Sequence, residues 1–476
     1  MKNSQNLPIL VIGAGPVGLA AASHLLERKE HPLVIEAGSS AGSAVRQWSH
    51  VRMFSPWRYN IDSASRRLLE KSDWREPELN HLPTGAEIFS DYLEPLATRT
   101  KLKDHVRYGE LVIAVTRQNT DKVRTKDRDT RPFLVRTVAN DGTVRDHVAK
   151  AVIDASGTWT TPNPMGSDGQ PALGEEQNAD KIDYGIPDVL GARRMDFAGK
   201  TILVVGSGHS AFNAVLELLE LREDAPDTRI FWAMRKQSLD KVFGGGAKDG
   251  LPARGELGER ARSAVESGAV TLMSPFSIHR VERTREKQLE VSGRLPDGPR
   301  AVVADRIIVA TGFRLDLGML REVRLELDPA LESARALGPL IDPNEHSCGT
   351  VRPHGARELA HPEKDFYIVG MKSYGRAPTF LLATGYEQVR SVVAELTGDH
   401  EAAARVELDL PETGVCSLPS LGNLGEAVGG CCGGPPKTNA SACCVKDEEK
   451  KAEGEEGCGC SAKPKEASAT AKGCCG

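Results

Sequence analysis

Short apolar runs alternate with amphipathic stretches along most of the chain, and this alternation opens twice in the same way. The predicted elements of the two openings are strand 7–12, helix 14–27 and strand 32–35, then strand 200–205, helix 206–221 and strand 229–233. Strands that alternate with helices are typical of parallel, doubly wound sheets. Two such openings about 190 residues apart predict two nucleotide-binding domains.

The remaining stretches complete the predicted order. They contain helices at 62–70 and 86–97, strands at 133–138, 151–154, 306–310 and 366–369, a Pro/Gly-rich link at 161–174, a glycine-rich loop at 244–258 and a helix at 379–396. Beyond about Thr397 the apolar pattern gives way to linker-like composition, and the last 90 residues contain no aromatic residue. Such a segment can hardly build a core, so we expect an α/β body followed by a disordered tail.

Composition excludes several classes of protein. The 476 residues are 39% hydrophobic and 27% charged, which is typical of a globular protein with a sizeable core. The net charge of −5 argues against a nucleic-acid partner, which would favour a basic face. No run reaches the ~18 unbroken apolar residues of a membrane span. We therefore expect neither a nucleic-acid partner nor a membrane.

Cysteine is the residue whose distribution is most informative. Eight of the ten cysteines fall in the last 46 residues, as Cys431, Cys432, Cys443, Cys444, Cys458, Cys460, Cys474 and Cys475. The other two are Cys348 and Cys416, so the body has no disulfide framework. The apolar run 7–22 resembles a signal peptide. However, prolines and glycines interrupt it, and a nucleotide-binding turn explains their spacing better. We expect a cytoplasmic, reducing location.

The first glycine motif, Gly13-Ala-Gly15-Pro16-Val-Gly18, lies between a predicted strand and a predicted helix. The first glycine permits a tight turn, the second admits a pyrophosphate to the backbone, and the third allows close strand–helix packing. Glu36, 23 residues after Gly13, ends the next strand and is a candidate for binding ribose hydroxyls. The context favours a dinucleotide site over a coincidental glycine turn.

The second motif, Gly206-Ser-Gly208-His209-Ser210-Ala, has the same strand–turn–helix context. The strand after it ends at Arg235 and Lys236, with no acid in the corresponding place. A carboxylate there would repel a 2′-phosphate and these cations would bind one, so NADPH is favoured over NADH. The alternative is that both are solvated charges at a strand end.

Two dinucleotide sites in one chain imply that electrons pass from a nicotinamide to a second dinucleotide, for which FAD is the natural acceptor. Three corners at the carboxyl ends of strands are then candidate cofactor contacts. They are formed by Gly157, by Thr311 and Gly312, and by Gly370 and Met371. The last predicted helix is placed to aim its positive end at the flavin, or else simply to pack in the core.

The chain resembles the flavin-containing (class B) monooxygenases in the order of its motifs. These are GAGPVG with Glu36, the central DASG, GSGHSA, ATGF and a VGM segment followed by a helix. The resemblance covers about residues 7–396. The cysteine-paired tail makes the chain similar to the flavin monooxygenases associated with arsenic resistance. This implies two Rossmann-like domains: a discontinuous FAD domain at 1–165 and 303–400 with an inserted NADPH domain at 166–302, followed by a flexible Cys-rich tail at 401–476.

The resemblance also implies chemistry and site residues. Hydride passes from NADPH to FAD, and O₂ then forms a flavin hydroperoxide that oxidises soft lone pairs on sulfur, nitrogen or trivalent arsenic. Arg46, Gln47 and Trp48 lie where chains of this family cross the flavin. Asn60, His354 and Arg376 are the catalytic candidates, and Asn60 is assigned a hydrogen bond to the hydroperoxide. For each of these residues, a structural role in core or loop hydrogen bonding is at least as good an interpretation as a role at the flavin.

One departure concerns the family fingerprint, an aromatic–Gly–His–aromatic series before the second glycine motif. Here the chain has Tyr184-Gly185-Ile-Pro and Phe197, without the histidine. Control of the hydroperoxide is therefore in question, and an NADPH oxidase or reductase is an alternative. Mercuric and larger thioredoxin reductases carry C-terminal dithiols like Cys474-Cys475, but the chain has no second cysteine pair beside the flavin.

Thiolates select soft metals and metalloids, and paired cysteines raise the local thiol concentration. No CxxC spacing is present, which argues against structural zinc. The leading hypothesis is an FAD- and NADPH-dependent monooxygenase of a small, soft substrate, most plausibly inorganic or methylated trivalent arsenic, which the tail cysteines bind. The alternatives are a metal or disulfide reductase using Cys474-Cys475, and a non-catalytic flavoprotein that sequesters metalloid.

Overall fold

The computed structural model describes residues 6–236, 251–345, 353–378 and 380–408. The strands are β1 (Ile9–Ile12), β2 (Pro32–Ile35), β3 (Val106–Arg107), β4 (Glu110–Arg117), β5 (Phe133–Ala139), β6 (Val144–Ala149), β7 (Ala151–Asp154), β8 (Ile182–Tyr184), β9 (Thr201–Val205), β10 (Arg229–Ala233), β11 (Thr271–Met273), β12 (Ser277–Arg283), β13 (Leu289–Leu295), β14 (Gly298–Ala304), β15 (Arg306–Val309) and β16 (Phe366–Ile368).

The helices of the described residues are mostly short, apart from four of twelve or more residues. They are α1 (Pro16–Glu27), α2 (Ser43–Arg46), α3 (Ser63–Leu69), α4 (Gly85–Glu87), α5 (Glu94–Arg99), α6 (Arg194–Phe197), α7 (His209–Asp224), α8 (Pro252–Glu266), α9 (Gly338–Ile341), α10 (Ala356–Leu359), α11 (Leu382–Leu396) and α12 (His400–Ala404). None of the helices in the described ranges combines the length and apolar character that a membrane crossing requires.

Two five-stranded parallel sheets organise the molecule. The first has the order β16-β7-β1-β2-β3 and the second the order β11-β10-β9-β15-β8. A three-stranded antiparallel sheet accompanies each of them, β4-β5-β6 the first and β12-β13-β14 the second. We call the first pair of sheets with its helices unit A and the second unit B.

Each unit is a three-layer sandwich because both faces of its parallel sheet are apolar. In β1, Ile9 and Val11 are buried on the side of α1 and α11, and Leu10 and Ile12 on the side of β4–β6. In β9 the same alternation places Ile202 and Val204 against α7 and α8, and Leu203 and Val205 against β12–β14. The repeated pattern in the sequence therefore reflects a repeated architecture.

Three boundaries differ from those expected. β15 was expected in the FAD domain, but it pairs with β8 and β9 and so belongs to unit B, which extends to about residue 309. Residues 252–258, expected in a glycine-rich loop, begin α8, because Pro252 starts the helix and the small residues pack beneath it. Residues 401–404, expected in the tail, lie in α12, which packs on α11.

The two connections between units A and B run side by side. The Asn163 amide donates to the Thr311 carbonyl (3.1 Å), and Arg314 Nε donates to Asn163 Oδ1 (2.5 Å). The Thr311 hydroxyl donates back to the Asn163 carbonyl (2.8 Å). These bonds tie the outgoing and returning chains together and fix the corner at Thr311 and Gly312 between the two sheets.

Candidate functional site

The first glycine turn follows β1 at the carboxyl edge of the first sheet. Gly13 has φ +97°, and a Cβ there would lie 2.8 Å from the Ala155 carbonyl oxygen. A Cβ on Gly18 would lie 1.9 Å from the Gly13 carbonyl oxygen. At Gly15, the N-cap of α1, a Cβ would meet nothing within 4 Å. Gly13 and Gly18 are thus required by packing, and Gly15 faces open space. This is the arrangement that a diphosphate needs.

Glu36, which follows β2, lies beside this turn. Its Oε2 accepts from the Ala14 N–H at 2.7 Å and its Oε1 from the Gly38 N–H at 2.8 Å. Pro16 occupies the first helical position of α1, where its missing N–H costs no hydrogen bond. The carboxylate therefore stands at the end of β2 in the place predicted for ribose recognition.

A buried ion pair, missed from the sequence, lies next to the same turn. Lys372 Nζ is 2.8 Å from Asp154 Oδ2 and donates to the Ser156 hydroxyl at 3.0 Å. Lys372 and Asp154 are 1% and 0% exposed. Asp154 ends β7 between the ends of β1 and β16, so the pair, neutral overall, places the Lys372 ammonium at the edge where the glycine turn lies.

The segment after β16 is shaped by Gln388 of α11, a second residue missed from the sequence. The Gly370 N–H donates to Gln388 Oε1 (2.8 Å), where Gly370 has φ +70°. Gln388 Nε2 donates to the Ser373 hydroxyl (2.9 Å) and lies 2.8 Å from His354 Nε2. Because an amide nitrogen only donates, the His354 nitrogen accepts. His354, predicted as catalytic, thus positions the 370–374 segment through Gln388. Met371, a predicted cofactor contact in this segment, is half-buried.

Asn60, also predicted as catalytic, is buried in its own turn. Its Nδ2 donates to the carbonyls of Ser55 (2.7 Å) and Pro56 (3.1 Å), and its Oδ1 accepts from the Ser55 hydroxyl (3.1 Å). The Tyr386 hydroxyl donates to the Asn60 carbonyl at 2.8 Å. The amide therefore holds the turn in shape, and a catalytic role for Asn60 stays a prediction.

Arg376, the third catalytic candidate, forms an exposed ion pair with Glu332 (3.0 Å). Its backbone N–H donates to the Leu331 carbonyl at 2.7 Å. Both contacts join it to the 328–333 turn, and the described contacts do not bring it together with Asn60 or His354. Its predicted role in catalysis is not tested by this arrangement.

Residues 46–48, predicted as cofactor contacts, are the last residue of α2 and the two residues that follow it. Gln47 Oε1 accepts from the Trp159 indole N–H at 2.8 Å, and Trp159 packs on Phe313 with ring centroids 4.8 Å apart. The Arg46 guanidinium lies over the Phe89 ring, 5.0 Å from its centroid. The Trp48 ring packs against Gly85, where a Cβ would approach it to 2.7 Å. Only Gln47 of the three is linked by hydrogen bond to the crossing between the two units.

The second glycine turn repeats the geometry of the first. Gly206 has φ +138°, and a Cβ there would lie 2.3 Å from the Ala310 carbonyl oxygen. Gly208, the N-cap of α7, faces open space. The Trp232 indole N–H donates to the Gly206 carbonyl at 2.8 Å and so fixes the turn. Ser210 follows in the first turn of the helix, half-buried.

Two exposed cations and one aromatic contact flank this second turn. Arg235 and Lys236 follow β10, and Arg235 donates to the Ser167 carbonyl at 2.8 Å. The His209 ring is 5.2 Å from the ring of Phe54, which comes from unit A. The Arg254 guanidinium of α8 lies 6.0 Å from the same Phe54 ring. Phe54 and Arg254 were not predicted, because nothing in their local sequence marks a contact between distant segments.

The segment that replaces the family fingerprint is held by a buried carboxylate. The Tyr184 hydroxyl donates to Glu175 Oε1 (2.8 Å), and the same carboxylate accepts from the N–H groups of Met165 and Ala172. Burial, and then the hydrogen bond to Glu175, raise the pKa of Tyr184. Gly185 has φ +87° and its α-carbon faces the ring of Trp159. Tyr184 and Gly185 thus form a corner that packs against the aromatic ring of Trp159.

The eight predicted metal ligands, Cys431, Cys432, Cys443, Cys444, Cys458, Cys460, Cys474 and Cys475, lie outside the described residues, as do Cys348 and Cys416. Within the described ranges, no cluster of three or more His, Cys, Asp or Glu side chains is arranged to hold a metal ion. Metal binding by the tail therefore stays a prediction.

Comparison with known proteins adds two findings on sequence. The profile of one protein family, described as pyridine nucleotide-disulphide oxidoreductase, matches residues 10–336. Flavin-containing monooxygenase 1 of Mus musculus is 26% identical over 218 residues, which make up 45% of this chain and 38% of the mouse protein. The chain thus spans well under half the length of this curated relative.

Two solved structures share the fold. Bacillithiol disulfide reductase Bdr (YpdA) from Bacillus cereus superposes with a TM-score of 0.61 at 17% identity, covering 82% of this chain and 98% of that one. The cadaverine monooxygenase DfoA from Erwinia amylovora, solved bound to FAD, superposes with a TM-score of 0.59 at 12% identity, covering 88% and 99%. The predicted α/β fold with two dinucleotide-binding domains is confirmed.

Proposed function

We propose that this chain, which belongs to the pyridine nucleotide-disulphide oxidoreductase family, is an FAD- and NADPH-dependent monooxygenase that oxidises a soft nucleophile. The observation that carries this proposal is the pair of glycine turns. Each lies at the carboxyl edge of its own parallel sheet, and each has an open second glycine at a helix N-terminus. The flavin-containing monooxygenase relative supports the oxygenase class.

Unit A fits FAD. The open side of Gly15 and the N-terminus of the twelve-residue α1 would receive the diphosphate, and Glu36 would accept from ribose hydroxyls. The Lys372 ammonium, buried in its pair with Asp154, would present its N–H donors near that anion without further desolvation. Bound FAD would supply a ring that takes a hydride from NADPH and passes electrons to O₂.

Unit B fits NADPH. Gly208 opens the backbone to a second diphosphate, and the exposed Arg235 and Lys236 at the end of β10 would bind the 2′-phosphate. The His209–Phe54 contact joins this turn to unit A and would hold the nicotinamide dinucleotide in register with the flavin. Arg235→Ala with Lys236→Ala should raise the KM for NADPH at least tenfold and leave that for NADH unchanged, since only NADPH carries the 2′-phosphate.

The disulfide reductase is the second candidate, favoured by the family description and by the fold of the bacillithiol disulfide reductase. A reductase of this architecture passes electrons through a cysteine pair beside the flavin. The first cysteine of this chain is Cys348, so neither glycine turn has a neighbouring dithiol in sequence. The outer pair Cys474-Cys475 then has no inner partner, and for this reason we place the monooxygenase first.

For the substrate we propose a small thiophilic species, trivalent inorganic or methylated arsenic, that the tail cysteines bind in a reducing cytoplasm. Thiolates bind soft ions, and the tail carries eight of them in pairs. The place where the tail begins supports this. The Glu407 N–H donates to Glu387 Oε1 (3.2 Å) beside the first half of α11, and Gly385 of the same helix packs on Val17 next to the first glycine turn.

The distance along the chain permits such delivery. From residue 409 to Cys431 there are 22 peptide steps, which span at most ~75 Å when fully extended. Glu407, bound to Glu387, lies within two turns of α11 from Gly385, which packs beside the first glycine turn.

One assay separates the hypotheses. Purified protein is mixed with NADPH in air and in nitrogen, with arsenite, methylarsenite, a thioether or a disulfide, and product is analysed after ¹⁸O₂ labelling. We expect substrate-dependent NADPH oxidation in air with one labelled oxygen in the product. Equal turnover of the disulfide in nitrogen would establish the reductase instead. Bound arsenical without any turnover would establish a sequestering protein, and absence of bound FAD would overturn all three.

The role of the tail is tested separately. Serine replaces the eight paired cysteines while the chain keeps its length, and Cys348→Ser with Cys416→Ser serves as the matched control. We expect the KM for arsenite to rise and the turnover of a thioether to stay unchanged, because a thioether does not bind thiolates. Unchanged arsenite kinetics in the eight-serine variant would exclude the tail while leaving the monooxygenase proposal intact.

A further inference from the structure

The connection between β4 and β5, residues 118–132, carries a basic pocket outside both dinucleotide sites. The pocket has a volume of about 340 Å³, within the range of roughly 300–1,000 Å³ that is typical of small-molecule sites. Three of its lining side chains are cations, Arg124, Lys126 and Arg131, and one is an anion, Asp127. The lining is therefore positive in a chain whose overall charge is −5.

Arg131 has hydrogen-bonding capacity that the described part of the chain does not use. Its Nε is buried and has no hydrogen-bond partner among the described residues. Its Nη1 lies 3.5 Å from the Gln118 carbonyl oxygen, which is long for a hydrogen bond. Because buried polar groups are nearly always paired, the guanidinium would gain hydrogen bonds by turning towards an anion in the pocket.

A buried triad beneath the pocket is also positive. Arg117, which ends β4, and Arg128 share one carboxylate: Arg117 Nε lies 2.8 Å from Glu363 Oε1, and Arg128 Nη2 lies 2.7 Å from Glu363 Oε2. None of the three side chains is more than 1% exposed. Two guanidiniums on one carboxylate leave the triad with one positive charge in excess, and its field is screened less in a protein interior than in water. An anion in the pocket would offset this excess.

Hydrogen bonds from the same region hold the pocket in shape. Arg128 Nη1 donates to the Asp121 carbonyl (2.7 Å), and Arg324 Nη2 donates to the Thr125 hydroxyl (3.1 Å). Glu363, to which Arg128 is anchored, lies three residues before the start of β16. The pocket is thus attached at the amino edge of the first sheet, whereas the first glycine turn lies at the carboxyl edge.

We propose that this pocket binds a small polar phosphomonoester of the sugar-phosphate kind. The cations would hold the phosphate, since guanidinium groups bind phosphate oxygens in pairs. The carboxylate of Asp127 would accept from sugar hydroxyls, and the other lining side chains are also polar, Asn119, Thr120 and Thr125. Among the described residues, no aromatic or aliphatic side chain lines the pocket. This disfavours a nucleotide, because its base would need a surface on which to stack.

Calorimetry on the FAD-loaded full chain tests the pocket with glucose 6-phosphate, glucose, inorganic phosphate and AMP. We expect glucose 6-phosphate to bind about tenfold more tightly than inorganic phosphate or AMP, and glucose to give no binding heat. Arg131→Gln should weaken the binding of glucose 6-phosphate about tenfold. Arg75→Gln, which changes an exposed arginine of unit A outside the pocket, should leave it unchanged. Absence of binding, equal affinity in the R131Q variant, or equally tight binding of inorganic phosphate would overturn the proposal.

The 2′-phosphate site proposed at Arg235 and Lys236 is the main competing site for a phosphate group. Arg235→Ala combined with Lys236→Ala should leave the affinity for glucose 6-phosphate unchanged, because both side chains belong to unit B. If this double variant loses the binding and the R131Q variant keeps it, the phosphate binds at the nucleotide site and the proposed pocket is wrong.

Asp127→Asn tests the sugar side of the pocket. Asparagine tolerates the φ of +60° at this position, so the backbone is kept. The variant should bind inorganic phosphate about two- to fivefold more tightly, because a like charge is removed, and should lose most of the preference for glucose 6-phosphate. Damage to the pocket would instead weaken the binding of both probes. If both bind more weakly, Asp127 does not face the ligand and the assigned lining is wrong.

Discussion

Lys372 shows how one residue links stability to cofactor binding. Its ammonium is buried with the Asp154 carboxylate, and removing one partner of such a pair leaves the other charge without compensation, at a cost of about 3–5 kcal/mol. Lys372→Met should therefore lower the free energy of unfolding by that amount in urea titrations. Lys372→Met combined with Asp154→Asn should recover most of the loss, because no unpaired charge remains.

The double variant also isolates the effect on FAD. If the ammonium contributes to holding the diphosphate, the double variant should fold normally and yet bind FAD several-fold more weakly, measured by the quenching of flavin fluorescence. A single variant as stable as the wild type would show that the pair contributes nothing to folding. Equal FAD affinity in the double variant would confine Lys372 to a structural role.

At the residue scale, the sequence was a good guide where backbone geometry alone dictates the residue. Gly13, Gly18 and Gly206 stand where a Cβ would collide with a carbonyl oxygen, and the motif encodes that requirement locally. Lys372 was not predictable, because its partner Asp154 is 218 residues away. Asn60 had suitable chemistry for catalysis, but the sequence does not reveal that its amide is engaged by its own turn.

At the scale of the elements, α7 carries a carboxyl group, Glu217, whose ionised form is destabilised by burial. Glu217 Oε2 is buried without a hydrogen-bond partner among the described residues. Burial first, and then the nearby Asp188 and Glu220 carboxylates, raise the pKa of Glu217 to about 7. Between the ordinary glutamate pKa and about 7, the folded chain holds a proton that the unfolded chain has lost, so stability falls as pH rises through this window.

Glu217→Gln removes this penalty, because the amide cannot ionise. At pH 8 the variant should be more stable than the wild type by on the order of 2 kcal/mol, and the difference should shrink towards zero as the pH approaches 4.5. Urea unfolding at pH 5, 6.5 and 8 measures it. Glu223→Gln, exposed on the same helix and not among the groups that raise the pKa of Glu217, is the control and should change little. An equal gain at pH 5 and pH 8 would show that ionisation of Glu217 is not responsible.

The contact between Phe54 and His209 joins elements of the two units. The ring contacts of Phe54 with His209 and Arg254 are each worth about 0.5–1.5 kcal/mol in comparable pairs. Phe54→Ala should therefore weaken NADP⁺ binding by calorimetry about 2- to 10-fold, while FAD occupancy stays unchanged. Phe54→Tyr keeps the ring and should behave as the wild type. Loss of FAD with unaltered NADP⁺ affinity would place the function of Phe54 in unit A alone.

Elements were predicted well wherever apolar periodicity was strong, and poorly where tertiary contacts decide. The predicted bounds of β2, β7 and β10 agree with the structure to the residue. The start of α8 was mistaken for loop because Gly255 and Gly258 are poor helix formers, yet both are buried where the helix packs closely. The strand at 306–309 was recognised, but its sheet was not, since pairing with β9 joins residues that are 104 positions apart in the sequence.

At the scale of the whole molecule, the described part of the chain ends with α12 packed on α11. Arg390 Nη1 donates to the Ala402 carbonyl (2.7 Å), and the Ser391 hydroxyl donates to the Ala403 carbonyl (2.6 Å). Arg390 and Ser391 are both buried, so loss of α12 would leave their donors without these acceptors. The boundary of the folded body therefore lies after residue 404 rather than at 400.

Two truncations test this boundary. A chain ending at residue 408 should unfold at the same temperature as the full chain, because every contact described for α12 is kept. A chain ending at residue 398 should lose several kcal/mol, since each buried donor left unpaired costs about 1–3 kcal/mol and the Arg28–Asp399 pair is also removed. Thermal unfolding and NADPH oxidation measured on both would distinguish them. If the shorter chain were as stable as the longer one, α12 would be dispensable and the folded body would end with α11.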